Sequence, residues 1–178
     1  MIYIGIDNGV TGSIGVLYED DVVEYHKMPV KSELSYTKAK QWISRIDLDK
    51  LCNIFSKVML SGFVKDGSEI FVALERPMVN PMRFKATVSA LRALEATLIA
   101  VEEMGFKYRY IDSKEWQKGM LPKGLKGEAE LKKASMQIGK RLFPQIKFEG
   151  FKDADGILIA EWGKRFTNGT LKNKYKIP

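Results

Sequence analysis

Four acidic residues stand where a carboxylate is costly unless something positive meets it. Asp7 closes Gly5-Ile6-Asp7 and Glu75 closes Ala73-Leu74-Glu75, while Asp153 and Asp155 open the apolar stretch Asp153-Ala154-Asp155-Gly156-Ile157-Leu158-Ile159. Among aliphatic neighbours an ionised carboxyl loses its hydration and needs a compensating charge. The chain has one histidine, His26, and one cysteine, Cys52, so neither a Cys/His zinc site nor an internal disulfide can form. What fits four carboxylates is a hard divalent cation taken by oxygen. Two such ions roughly 4 Å apart can activate a water and stabilise the leaving oxygen of a phosphodiester. Each acid also has a plainer use when taken alone: Asp7 in a turn, Glu75 paired with Arg76, and Asp153 or Asp155 as a helix N-cap.

The charge distribution names a partner for such chemistry. The 178 residues carry 29 Lys and Arg against 22 Asp and Glu, a formal charge of +7. Ten basic and four acidic residues lie between Lys107 and Arg141, and five basic residues with no acid follow from Lys164 onward. The rest of the chain is therefore net acidic. Two basic segments on an acidic remainder suit a polyanion, because neutralised phosphates release their counterions on binding. A solvated surface with a lysine-rich tail at Lys172, Lys174 and Lys176 is the plainer reading of the same residues.

The elements that must position the acids can be read from local pattern. Ile2, Ile4 and Ile6 form a β-branched run that ends at Asp7-Asn8-Gly9, and Ser13 to Tyr18 returns as a hairpin partner. Val22 to His26 follows as a third antiparallel strand after a turn at Glu19-Asp20-Asp21. Lys27 to Arg45 shows no clear period and is expected to be a long loop holding at most a short helix. From Asp47 the apolar residues recur at helical spacing as far as Met59, with Gly62 as a stop. Glu69 to Leu74 reads as a strand closed by Pro77.

Phe84 to Met104 has the strongest helical pattern, with Val88, Leu91, Leu94, Leu98, Val101 and Met104 in one stripe widened by alanines. An arc this broad fits either a second copy of the helix in a partner subunit or burial in a larger core. Phe106 to Ile111 is a strand. Ser113 is expected to cap a short helix carrying Trp116, ahead of a Gly/Pro/Lys loop from Lys118 to Gly127. Helices follow over Glu128 to Phe143 and from Asp153 onward. A composition 45% hydrophobic, with no secretory start and no membrane-length apolar run, leads us to expect one cytoplasmic domain.

The blocks IGIDNGVTGSIGVL, FVALERP, YIDSKEWQKGMLPKG with ELKKAS and KRLFP, and KDADGILIAEWGKR resemble, in order and spacing, the RuvC-type Holliday-junction resolvases of the ribonuclease H-like superfamily. The shorter phage and virus-type members are the most similar, and the resemblance runs from Met1 to about Phe166. It implies an α/β fold, a ribonuclease H-like mixed sheet of three antiparallel strands and then parallel strands, flanked by helices. Residues 1–166 would form a single nuclease domain and 167–178 a basic tail. The implied activity is that of a crossover junction endodeoxyribonuclease, homodimeric through the 84–104 helix, that nicks four-way DNA with two Mg²⁺ or Mn²⁺ ions per active site.

Carried over residue by residue, Asp7, Glu75 and Asp155 match the metal-binding acids, and Asp153 matches the acid before them. Several relatives separate their last two metal ligands by three residues. Here the motif is Asp-Ala-Asp, so Asp153 has to sit just before the helix to reach a metal. The resemblance further implies Lys114 and Lys132 as catalytic cations, with Lys118 and Lys123 as phosphate contacts. It places an apolar wedge in the loop holding Met78, Met82, Arg83 and Phe84, where packing at the helix start is another use for Phe84. Two other classes share parts of this pattern. A non-catalytic module for branched DNA could keep the same acids. A sugar-kinase or actin-like ATPase would share the Asp7-Asn8-Gly9-Val10-Thr11-Gly12 turn, but it needs a second half for which this length leaves no room.

Overall fold

A computed structural model of the chain describes residues 1–18, 22–61, 66 and 69–169. The turn expected at Glu19-Asp20-Asp21, the stop at Gly62 and the tail from residue 170 lie outside the described residues. Strands β1 (Ile2–Asp7), β2 (Ser13–Leu17) and β3 (Val23–Lys27) pair antiparallel. On the other side of β1, strands β6 (Ile70–Glu75) and β7 (Lys107–Ile111) add in parallel, giving the order β3-β2-β1-β6-β7. This is the mixed sheet expected. Its central strands are covered on both faces, which explains their nearly continuous apolar runs.

One face packs against α1 (Leu48–Met59) and α2 (Phe84–Glu103), with Ile2, Ile4, Ile6, Val72 and Leu74 meeting Leu51, Phe55, Val101 and Ala100. The other takes α5 (Asp155–Thr167), with α3 (Ser113–Met120) and α4 (Gly127–Leu142) around it. Two glycines make this second contact possible. Gly5 and Gly15 sit opposite each other across β1 and β2. A Cβ on Gly5 would fall 2.1 Å from the Ala160 nitrogen, and one on Gly15 2.3 Å from the Ile157 Cα. Helix α5 therefore lies directly on the sheet backbone, and its first residue is Asp155.

Four local expectations are corrected. Lys27 to Arg45 is a β-hairpin rather than a loop: β4 (Val30–Leu34) and β5 (Trp42–Ile46) pair antiparallel as a separate two-stranded sheet. Ile46 is buried at the hairpin base, whereas Leu34 and Trp42 are exposed at its far end, so no alternating apolar face marks the strands. Asp112, not Ser113, occupies the N-cap position of α3. That helix runs on to Met120, so the Gly/Pro/Lys loop begins only at Leu121. Asp153 does not open the last helix, which starts two residues later.

On α2 the face against the core is made by Ala93, Thr97, Ala100 and Val101. Small side chains let the helix sit close, and of the expected leucine stripe Leu91 is left exposed and Leu94 and Leu98 half-buried. No helix among the described residues is long and apolar enough to cross a membrane.

Candidate metal centre

Sheet register brings the first acid to a defined edge. Asp7 ends β1 opposite Ser13 of β2, which in turn faces Lys27 of β3. Ser13 is buried, and its hydroxyl oxygen accepts from the Gly156 N–H at 3.1 Å. That bond ties the first turn of α5 to the strand beside Asp7. The Tyr25 hydroxyl lies 2.8 Å from Ser13 Oγ and 3.1 Å from the Asp153 carbonyl oxygen. The Tyr25 ring stacks on Phe151 at 4.4 Å and meets Phe148 at 5.5 Å, which fixes the loop that delivers Asp153.

The two later acids are held by α4 and by each other. Ser135 donates its hydroxyl proton to Asp155 Oδ1, and Ser135 Oγ itself accepts from the Ala154 N–H at 3.1 Å. Asp153 Oδ1 accepts from the Asp155 N–H at 3.3 Å, so from just outside the N-cap residue Ala154 it satisfies the first N–H of the helix. Lys132, one turn before Ser135 on α4, places Nζ 3.4 Å from Asp153 Oδ2 and 3.5 Å from Glu128 Oε1. One ligand oxygen each from Asp7, Asp153 and Asp155 lies within 4.8 Å of the others, a grouping able to hold a metal ion.

Glu75 stands outside that group but close to it. Arg76, its expected partner, turns away and pairs with Asp112 at 2.6 Å. Glu75 instead accepts a hydrogen bond from Ser113. Burial, and then the Asp153 and Asp112 charges, raise its carboxyl, although Ser113 and the neighbouring Trp116 indole pull the other way. The Trp116 N–H is buried without a well-aligned partner among the described residues.

The electrostatics of the group are those of a site short of positive charge. Asp7 is pushed well above the ordinary carboxylate range, first by burial and then by Glu75, Asp155 and Asp153. Asp155 rises to about 7, again by burial and then by Asp153, with Ser135 and Lys132 opposing. Burial lowers the Lys132 ammonium, but Asp153 and Glu128 more than offset this and its pKa ends above the ordinary lysine value. One ammonium does not neutralise this many carboxylates. A hard divalent cation would complete the balance and suits the all-oxygen donor set.

The remaining expected residues are distributed around this centre. Lys114 and Lys118 are exposed on α3, and Lys123 is exposed on the loop that follows. Met78 and Arg83 are exposed on the segment between β6 and α2, Arg83 as the last residue of a 3-10 turn at Pro81–Arg83, and Phe84 is exposed as the first residue of α2. Sequence reasoning missed Ser13, Tyr25 and Ser135 as groups that hold the acids, and gave Ser113 the role of a helix cap where its hydroxyl in fact binds Glu75. Ser135 left a trace in its spacing, three residues from Lys132 and so on the same helix face.

No protein-family model matches the chain, and no curated protein matches it in sequence. Solved structures do. Thermus thermophilus RuvC in complex with a Holliday junction substrate superposes with a TM-score of 0.59 at 14% identity, covering 96% of each chain. The fold is that of RuvC. A second Thermus thermophilus RuvC structure gives a TM-score of 0.55 at 13% identity, covering 96% of this chain and 97% of that one. The RuvC fold is a ribonuclease H-like mixed sheet flanked by helices, and here its central strand ends at Asp7.

Proposed function

We propose that the protein is a metal-dependent endonuclease that resolves four-way DNA junctions by paired nicking as a homodimer. The observation that carries this reading is the convergence of Asp7, Asp153 and Asp155 at one edge of a sheet with the RuvC fold. The finding that a RuvC of the same fold is bound to a Holliday junction supports the substrate class. Residues 1–166 form the nuclease domain in this reading and 167–178 a basic tail. Asp7, Asp153 and Asp155, with Glu75 beside them, would hold two Mg²⁺ or Mn²⁺ ions, which supply an activated water and stabilise charge on the leaving oxygen.

The chain's own residues set up that chemistry. Ser135 occupies Oδ1 of Asp155, Ser113 occupies Oε1 of Glu75 and the Asp155 N–H occupies Oδ1 of Asp153. Each carboxylate is thereby fixed in rotation; Asp155 keeps Oδ2 as an acceptor, while Oδ2 of Asp153 faces the Lys132 ammonium at 3.4 Å. Lys132, already at the edge of the group, is placed to stabilise the charge that develops on a phosphate. Lys114, Lys118 and Lys123 then contact the flanking phosphates, and the segment with Met78, Arg83 and Phe84 meets the bases near the branch. Hydrolysis of each continuous strand leaves a 5′ phosphate and a 3′ hydroxyl.

The test is incubation of wild type and Asp7→Asn with a labelled four-way junction, a matching duplex and a fork, with Mg²⁺, Mn²⁺ or EDTA. Paired, metal-dependent nicks in the junction that vanish in the variant are expected. Tight junction binding without nicks would make the protein a binding module, and equal cleavage by Asp7→Asn would refute the assignment of the site.

A further inference from the structure

The β4–β5 hairpin contributes no residue to the acidic centre, yet it leaves the sheet at the acidic edge. Strand β3 ends at Lys27, which lies in register with Ser13 and, through it, with Asp7. The next residue, Met28, donates its N–H to the Gly12 carbonyl at 2.9 Å, and the hairpin base closes through the Asp47 N–H to the Pro29 carbonyl at 2.9 Å. Five-residue strands carry its tip roughly 17 Å away, about half a turn of duplex. Strand β5 packs along α2, and the Tyr36 ring lies 6.0 Å from the Arg92 guanidinium.

The tip is built, not frayed. The Ser35 N–H donates to the Gln41 carbonyl at 2.8 Å, the Gln41 N–H to Ser35 Oγ at 3.1 Å, and the Thr37 hydroxyl to the Ala39 carbonyl at 3.0 Å. On this ordered tip Tyr36 is 88% exposed and Trp42, paired across the strands with Leu34, is 71% exposed. Lys38 and Lys40 lie between the two rings, and the segment from Ser35 to Trp42 contains no acid. Over Lys31 to Arg45 there are four basic residues, and Glu33, the single acid, is paired with Arg45.

Exposed rings interleaved with unopposed lysines match an unpaired nucleic-acid strand, whose bases offer flat faces and whose phosphates offer charge. A second copy of the same tip would set lysine against lysine. We propose that the β4–β5 hairpin is a second DNA-contacting arm, in which Tyr36 and Trp42 stack on unpaired bases of branched DNA while Lys38 and Lys40 hold the adjoining phosphates. The proposal rests on the DNA reading above and adds to it a contact outside the acidic centre.

The three tryptophans make it directly testable, because Trp116 and Trp162 are buried at 1% and 3% exposure. Iodide-accessible emission therefore reports Trp42. The full chain in EDTA, which prevents cleavage, is titrated with a four-way junction, a (dT)16 strand and a blunt duplex, with binding followed independently by anisotropy of labelled DNA. Junction and (dT)16 are expected to quench Trp42 and shield it from iodide. Trp42→Ala should weaken both by about fivefold or more, the loss of one ring stack, and leave duplex affinity within twofold. Lys38→Gln with Lys40→Gln should flatten the dependence of log Kd on log salt by roughly 1.5.

Junction binding by anisotropy with Trp42 emission unchanged would overturn the arm and leave the nuclease reading standing. So would Trp42→Ala binding like wild type, or its conversion of a dimer to a monomer in sedimentation, which would make the hairpin a subunit contact. Failure of the wild type to bind junction or (dT)16 at all would overturn both readings.

Discussion

The acidic edge of the sheet and the hairpin that springs from it begin at the same strand ends and are built in opposite ways. At the edge, Asp153 is buried, Asp7 and Asp155 are largely covered, and the supporting hydroxyls come from elements packed against the sheet or against α5. Along the hairpin only Ile46 is buried in the strands, and the large side chains at the far end face solvent. Chemistry on a phosphodiester needs ligands held to a fraction of an ångström, which a packed second layer supplies. Contact with a branched, deformable polymer is served instead by an ordered projection with adaptable side chains. The rigid region is thus where single-atom changes should be severe, and the projecting region where they should be graded.

The severest break is expected at Asp7. Asp7→Asn should lower metal-dependent nicking by roughly a thousandfold or more, with junction affinity kept or improved because a negative charge has gone. Gel analysis of cleavage alongside anisotropy separates the two effects. Next comes the glycine floor. Gly5→Val would drive its side chain into the α5 backbone, since even a Cβ at this position falls 2.1 Å from the Ala160 nitrogen, and α5 cannot move away without losing the Ser13 to Gly156 bond. A loss of about 3 kcal/mol or more is expected, read as the shift of the urea midpoint. A change below about 1 kcal/mol would mean that α5 is not seated on the sheet backbone.

The same contrast explains what was legible in the residues alone. The core strands, α2 and α5 announce themselves by apolar period, and the acids at the strand ends stand out because they interrupt it. The hairpin was hidden because its buried surface amounts to little more than Ile46 and half of Glu33 and Ile43, too little to impose alternation. Gly5 and Gly15 look like ordinary strand residues until their cross-strand pairing and the helix above them are known. Ser113 and Ser135 reach their carboxylates from other elements, 38 and 20 residues away, and no local pattern encodes such a distance. Arg76 is the converse case: adjacency in sequence pointed to Glu75, but its guanidinium found Asp112 across the β6–β7 pair.

The rigid region should also carry the pH dependence. A carboxyl whose folded pKa lies above its unfolded value binds more protons when folded, so stability declines as pH rises from the unfolded value through the folded one. For Asp155 that window runs from 3.8 to about 7, and the raised Asp7 and Glu75 act in the same direction. At 1.36 kcal/mol per unit, Asp155 contributes up to about 4 kcal/mol. The metal-free protein is therefore expected to melt at a lower temperature at pH 7.5 than at pH 5, and Mg²⁺ or Mn²⁺ should reverse the loss at pH 7.5. Asp155→Asn should flatten the profile. A melting temperature that rises from pH 5 to pH 7.5 in EDTA would contradict the crowding of carboxylates at this edge.

The smallest effect expected in the rigid region is at Ser135, and it sharpens the comparison most. Ser135→Ala removes the hydroxyl that donates to Asp155 Oδ1 and accepts from the Ala154 N–H, so the carboxylate loses both an orienting bond and a stabiliser of its charged form. Ser135 is fully buried, and the deleted oxygen leaves the Ala154 N–H unpaired at about 1–3 kcal/mol. If Ser135 positions Asp155, the concentration of Mn²⁺ for half-maximal nicking should rise by roughly three- to tenfold, and the acid limb of the pH profile should move upward. Both follow because Ser135 lowers the Asp155 pKa and its absence lets that value climb. A purely structural role would lower the melting temperature and leave the metal requirement and the pH limb in place. Ser135→Thr, which keeps the hydroxyl, should restore the metal requirement even if its extra methyl group costs stability in that packed position.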